Sequence, residues 1–383
     1  MGTTVSIGQA IGAGDRRQVA KDVGNTITLF MALSITLMST LLALVGPIVS
    51  AMSTPEEAVN GTVAYLTICF IGIPFITAYN IISSIFRGMG DSKSPMYFIA
   101  VACAANIGLD YLFMGVFRLG PAGAALGTTV SQAISVVISL IVIIKRKSIV
   151  LQKSDFKPQR PVMGKILKIG IPIALQDGLI QVAFIIITII ANHRGLNDAA
   201  AVGIVEKVMS FLFLIPSSML STVSALDAQN IGANKPERAI QTLQYAILLA
   251  VGFGVLSSVV IQFVAEPIVS LFTDRNADGG ADVIRLGGQY LRGYIWDSIF
   301  AGIHFSFSGY FCACGKSSLS FLHNILAIAL VRIPGVYLTS QLFPETLFPM
   351  GLATAAGSLL SVVICVVAFA VIRHKDRKIP SGG

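Results

Sequence analysis

The sequence predicts an all-α membrane protein: two parallel six-helix repeats, the first lacking its first helix and most of its second, with about ten complete transmembrane helices. Three observations predict it. Of the 383 residues, 54% are hydrophobic and only 12% charged, with a mean hydropathy of +0.79, where a soluble domain carries roughly 25% charged residues. Apolar runs long enough to cross a bilayer recur along the whole chain. A short motif near the start returns in the second half at the same place relative to the spans around it.

The spans follow in order. A bilayer core needs about 20 apolar residues in a helix. Uncharged runs of that length occupy 27–50, 58–86, 119–144, 239–265 and 346–372. Five more hold one or two ionisable residues: 94–117 with Asp110, 169–192 with Asp177, 199–226 with Glu206 and Lys207, 293–315 with Asp297 and His304, and 317–343 with Arg332. Prolines within them, such as Pro74 and Pro172, are tolerated because neighbouring helices satisfy the freed backbone groups.

Lysine and arginine set the orientation. Twenty of the 27 fall on one set of connections, including Arg16, Arg17 and Lys21, the stretch 145–168 and the C-terminal tail; five fall on the opposite set. Both termini and 145–168 are therefore expected in the cytoplasm, and the protein in the plasma (inner) membrane. The formal net charge of +8 is spread over separate loops, which argues against nucleic acid as a partner. The predicted organisation is an incomplete N-terminal lobe over 1–147, a cytoplasmic linker over 148–165 and a C-terminal lobe over 166–383.

The repeat rests on collinear matches. "TTVSIGQAIGAGDRR" at 3–17 pairs with "STVSALDAQNIGANKPER" at 221–238, "MGDS" at 89–92 with "CGKS" at 314–317, and "AGAA" at 122–125 with "MGLA" at 350–353. An even number of spans separates the two copies of the first motif, so both lie on one membrane face, and the halves are parallel repeats about an axis along the membrane normal. Two spans precede the motif in the second half and none in the first. The expectation is a chain that starts inside a helix, relative to a twelve-span parent.

The stretches "QAIGAGDRR", "QNIGANKPER", "FRGMGDSKSP", "NIGLDYLFM", "GPAGAALGTTVSQ" and "KIGIPIALQDGLIQ" together resemble the multidrug and toxic compound extrusion (MATE) transporter family, in order and over essentially the whole chain. The resemblance implies an antiporter that exports cationic or amphipathic compounds in exchange for sodium or protons by alternating access between two lobes. It implies small-molecule substrates and the lipid bilayer as partners, a monomer, no cofactor and no enzymatic activity. Coupling would use sodium or a proton, and a sodium ion at Asp110 is the one metal expected.

Ionisable residues at membrane depth are costly, so they are paired, cavity-lining or functional. Asp110 follows Asn106 by four residues, which puts both on one helix face. Their oxygens can hold sodium, or the carboxyl can carry a proton. The resemblance adds Thr128 on the next helix to this cation site, and the family's partner carboxylate lies on the first helix, which this chain lacks. A structural cap near Arg118 is the plainer reading of Asp110. In the second half, Tyr294, Asp297 and His304 share one side of a helix and suit a cation contact or a proton relay; a polar link between packed helices is the alternative. Asp177 is a further candidate. The resemblance implies that some members of the family carry a functional Glu slightly further along this helix, near Ile180 or Gln181, and neither position is acidic here. Glu206 and Lys207 suggest interhelical pairing, Asp227 a helix cap, and Arg332 a structural role. Phe70, Phe75, Tyr79, Phe98, Phe300, Phe305, Phe307 and Tyr310 are candidate cavity walls for greasy cations, or ordinary packing.

Competing functions leave marks that are missing. "RGMGDSKS" has no preceding strand and no closing Gly-Lys-Ser/Thr, so it is not a nucleotide loop. No nucleophile–base or metal-ligand constellation suggests a membrane-embedded enzyme. A flippase for a lipid-linked precursor, the alternative within this architecture, would ring its cavity with Lys and Arg, and the spans hold only Lys207 and Arg332. An inactive truncated fragment is the remaining alternative.

Overall fold

The repeated motifs are helix-ending turns, and their hydrogen bonds explain their residues. In the computed structural model, Ala13 N–H donates to Gln9 O at 3.0 Å, Gly14 N–H to Ile11 O at 3.0 Å and Asp15 N–H to Ala10 O at 3.0 Å. The second copy repeats this at Ala233, Asn234 and Lys235, which donate to Gln229, Ile231 and Asn230. The turn needs a left-handed residue, supplied by Gly14 (φ 71°) and Asn234 (φ 56°), the two residue types that adopt this conformation at least cost. "MGDS" and "CGKS" are the same device, turned at Gly90 (φ 87°) and Gly315 (φ 69°). Asp91 donates to Phe86 O and Lys316 to Phe311 O, five residues back in each case.

The structure describes residues 1–52, 54–146 and 151–378, without the side chains of 375–378. The start of the expected linker at 148–150, Lys147, and the side chains of Lys375, Arg377 and Lys378 lie outside the described residues. The described elements are helical: α1 (Gly2–Gly12), α2 (Arg16–Ala43), α3 (Val45–Ala51), α4 (Glu56–Gly88), α5 (Lys93–Asp110), α6 (Gly120–Arg146), α7 (Arg160–Arg194), α8 (Leu196–Leu212), α9 (Leu214–Gly232), α10 (Pro236–Val269), α11 (Gly280–Tyr294), α12 (Asp297–Ala313), α13 (Ser318–Ala327), α14 (Ile333–Leu342) and α15 (Phe348–Lys378). Two π-helical stretches, Tyr111–Val116 and Ile328–Arg332, extend α5 and join α13 to α14; a 3-10 turn spans Lys153–Phe156. The chain divides into two compact units, Gly2–Leu167 and Lys168–Gly383.

Nine stretches among the described residues are long and apolar enough to cross a membrane: 16–43, 56–88, 93–116, 120–146, 160–194, 196–232, 236–269, 318–342 and 348–374. They are all-α and multi-pass, as the composition demands. Two expected boundaries change. The first complete span starts at Arg16 rather than residue 27, because Asp15 caps it: its carboxylate accepts the Gln18 N–H at 2.8 Å. Counting uncharged residues missed a helix whose first turns are charged. The expected span 293–315 is not one helix. α11 ends at Tyr294 and α12, only 17 residues long, begins at Asp297. Between them the hydrogen bonds tighten to three residues, Ser298 N–H to Ile295 O at 2.9 Å and Ile299 N–H to Trp296 O at 3.2 Å.

In the N-terminal unit, α1 is almost wholly buried and packs on α2 and α4. It presents Ser6 to the buried Asp22, whose carboxylate accepts the Ser6 hydroxyl at 2.8 Å and the Gln18 amide at 2.7 Å. Residues 152–159 are latched to α2. Arg17 meets the fully buried Asp155 at 2.9 Å, Asn25 accepts the Gln159 N–H at 2.7 Å, and Thr28 donates to Phe156 O at 2.8 Å. Gly24 faces the backbone of Asp155, where a Cβ would collide. In the C-terminal unit, one core surrounds Tyr290, Leu291, Tyr294 and Leu347, a second Phe311 and Cys365. α11 crosses α15 at two glycines: a Cβ on Gly351 would lie 2.7 Å from Tyr294 N and one on Gly293 3.0 Å from Leu352 N.

Candidate functional site

The polar residues of the C-terminal unit are spaced along five helices so that they converge. Tyr294, Asp297 and His304 follow one another down the α11–α12 junction at the spacing of one and two turns. Asn324, Ile328 and Arg332 repeat every four residues along α13 and its π-helical extension. Ser358 and Ser361 lie one turn apart on α15, and Asp177 and Gln181 on α7. All of them line one cavity of about 540 Å³ within this unit, together with Phe184, Phe213 and Phe305. That volume is in the range of small-molecule sites, as is an apolar wall carrying a few converging polar groups.

The centre of the cavity is an ion pair. Arg332 Nη2 donates to Asp297 Oδ2 at 2.7 Å and to Ser358 Oγ at 3.0 Å. Both charged side chains are almost completely buried. Asp297 Oδ1, Tyr294 Oη and His304 Nδ1 are buried and have no hydrogen-bond partner among the described residues. Behind His304 lies His323, with ring centroids 5.4 Å apart. His323 bridges Ser308 Oγ at 2.9 Å and Ser361 Oγ at 3.2 Å.

In the N-terminal unit Asn106 Nδ2 donates to Asp110 Oδ1 at 3.2 Å, as the four-residue spacing requires. Asp110 is the last α-helical residue before the π-helical stretch. Its carboxylate lies over Gly127 of α6, so close that a Cβ there would overlap Oδ1. Thr128, the expected partner, is exposed, and its hydroxyl forms no hydrogen bond to Asp110. Its neighbour Thr129 instead donates to Ile68 O of α4 at 3.3 Å.

The other candidates sort clearly. Asp177 lines the cavity, and so do Ile180 and Gln181. Glu206 accepts the Thr188 hydroxyl of α7 at 3.4 Å, an interhelical partner. Asp227 does not cap a helix: it is fully buried within α9, five residues before its end. Of the eight aromatic candidates only Phe305 lines this cavity. Phe98 packs edge-on against Phe86, and Phe307 and Tyr310 against Phe369; helical spacing cannot separate cavity from core. Sequence reasoning gave Arg332 a structural role and passed over Asn324, Ser358 and Ser361. The signal was present in the four-residue stripe ending at Arg332 and the three-residue step between the serines.

Comparison with known proteins places this architecture. The chain is 29% identical over 97% of its length to a relative from Bacillus subtilis (strain 168) named "Probable multidrug resistance protein YpnP", covering 81% of that protein. It is 25% identical over 86% of its length to the "Multidrug export protein MepA" of Staphylococcus aureus (strain MSSA476), covering 71% of that protein. In fold it superposes on the solved structure described as "Crystal structure of MATE in complex with MaL6" with a TM-score of 0.89 and 21% identity, over 98% of this chain and 83% of the other. Residues 1–112 and 172–338 match the MatE family. These residues hold Asp110 and the Asp297–Arg332 pair, and the chain belongs to the MatE family.

Proposed function

We propose that this protein exports cationic or amphipathic small molecules across the plasma membrane, in exchange for sodium or protons, by alternating access between its two lobes. The observation that carries the reading is the C-terminal cavity, which combines apolar walls with the carboxylates of Asp177 and Asp297. A carboxylate in such a place suits the positive end of an amphipathic substrate, and the aromatic and aliphatic wall suits its greasy body. The names of the relatives from Bacillus and Staphylococcus support drug extrusion.

Asp110 carries the coupling ion in this reading. Its carboxylate is an oxygen ligand for sodium, joined by the Asn106 carbonyl once that amide, which here donates through Nδ2, turns over, and the same carboxylate can carry a proton. Thr128 adds a hydroxyl from α6 only if it turns inward. Tyr294, Asp297 and His304, with Asp177, form the weaker second site. The protein acts as a monomer with both termini in the cytoplasm, and it catalyses no covalent chemistry.

Asp110→Asn tests the assignment. The variant is expected to insert normally and to lose efflux driven by a sodium or proton gradient. Unchanged efflux would remove Asp110 from the mechanism.

A further inference from the structure

We propose that Arg332 is a tethered competitor for the C-terminal cation site. Its guanidinium holds Asp297, and a cation entering the cavity displaces it. The inference rests on the functional reading above and names the group that the cation must exchange with.

The geometry carries the argument. Arg332 and Asp297 line the same cavity, so the ion pair is part of the wall a ligand meets. Arg332 holds only one carboxylate oxygen, Oδ2; Oδ1 is buried and unpartnered among the described residues. Oδ1 is therefore the atom a cation gains as the guanidinium leaves Oδ2 and uncovers the carboxylate. Ser358 Oγ already accepts from the same Nη2 at 3.0 Å, which gives the guanidinium a hydrogen bond to keep as it moves. An arginine stays charged at any pH the protein meets, so the site is never filled by losing its charge; it exchanges one cation for another.

The backbone around Arg332 is built differently from an ordinary span. Arg332 ends a π-helical stretch, a rare conformation that clusters at functional sites. Pro334 follows two residues later and has no N–H to give the turn before it. Across from it, Gly357 of α15 leaves room for the Arg332 backbone: a Cβ on Gly357 would stand 2.8 Å from Arg332 Cβ.

The experiment measures tetraphenylphosphonium binding to the purified full chain in detergent by equilibrium dialysis, with thermal unfolding recorded for every variant. Wild type is expected to bind and Asp297→Asn to bind more weakly. Arg332→Gln, which frees the carboxylate, is expected to bind at least about ten-fold more tightly than wild type, about 1.4 kcal/mol. Arg332→Lys, with a shorter stem and no fork, is expected to fall between the two. A residue that only holds helices together would give no gain in affinity on removal. Equal or weaker binding by a folded Arg332→Gln overturns the proposal. If that variant does not fold, Arg332→Lys decides: affinity no tighter than wild type overturns it. Equal binding by wild type and Asp297→Asn puts the cation elsewhere and overturns this proposal while leaving the export reading standing. A wild-type chain that binds no organic cation overturns both.

Discussion

Arg332 Nη2 and Asp297 Oδ2 stand 2.7 Å apart, on two helices of the same unit, almost completely buried yet facing a cavity. Removing one member of such a pair leaves an uncompensated buried charge and costs about 3–5 kcal/mol, whereas replacing both is far cheaper. Arg332→Gln is therefore expected to lower the melting temperature sharply, as is Asp297→Asn, and the two combined to recover most of the loss. Losses that simply add in this double-mutant cycle would show that the two side chains are not coupled.

Gly127 is the floor under Asp110. Gly127→Ala pushes a methyl into the carboxylate, an overpacking that costs about 1–3 kcal/mol and moves Asp110 off its position. The expected result is an inserted protein with gradient-driven efflux reduced as far as in Asp110→Asn. Thr128→Ala is expected to change efflux little, since its hydroxyl is exposed. Loss of transport in Thr128→Ala equal to that in Gly127→Ala would put the hydroxyl in the ion site.

The repeated turns make a stability prediction that is independent of transport. Gly90→Ala and Gly315→Ala force a side chain into the left-handed region and are each expected to cost about 1–2 kcal/mol. Asn234→Gly, at the equivalent turn, is expected to be neutral or slightly stabilising. Thermal unfolding in detergent reads all three, and an Asn234→Gly loss as large as the other two would refute the shared geometry.

The latch on α2 predicts protease sensitivity. Gly24→Ala displaces the Asp155 backbone, and Arg17→Ala leaves the buried Asp155 carboxylate without its guanidinium. Both are expected to speed tryptic cleavage after Lys153, the one basic residue of 153–160 not followed by proline, and Lys153→Ala to abolish the cut. Unchanged cleavage in Gly24→Ala would show that this stretch is held by other contacts.

The sequence showed the class and the repeat because both rest on coarse physics. Bilayer thickness dictates long apolar runs, and a left-handed turn dictates Gly or Asn at 14, 90, 234 and 315. It also placed Asn106 beside Asp110, and put Tyr294, Asp297 and His304 on one side, since helical spacing is local. What it missed depends on contacts between helices. Nothing near Arg332 in sequence names Asp297, thirty-five residues away, as its partner. Nor does any local signal separate Phe305, on the cavity wall, from Phe307, in the core. The break at Ile295 and Trp296 was hidden because neither residue is a helix breaker; it is visible only as a tightening of hydrogen bonds. The start of α2 was hidden by its charges, which one capping aspartate and a buried carboxylate make compatible with a helix.

The central claim is that ion entry drives export of a cation. It is tested most directly by reconstituting the full chain in liposomes, imposing in turn an inward sodium gradient and an inward proton gradient, and following tetraphenylphosphonium. The account predicts movement of the organic cation against its own gradient under one of the two, collapsing when that ion gradient is dissipated and absent in Asp110→Asn. Movement only down the organic cation's own gradient, indifferent to both ions, would contradict it.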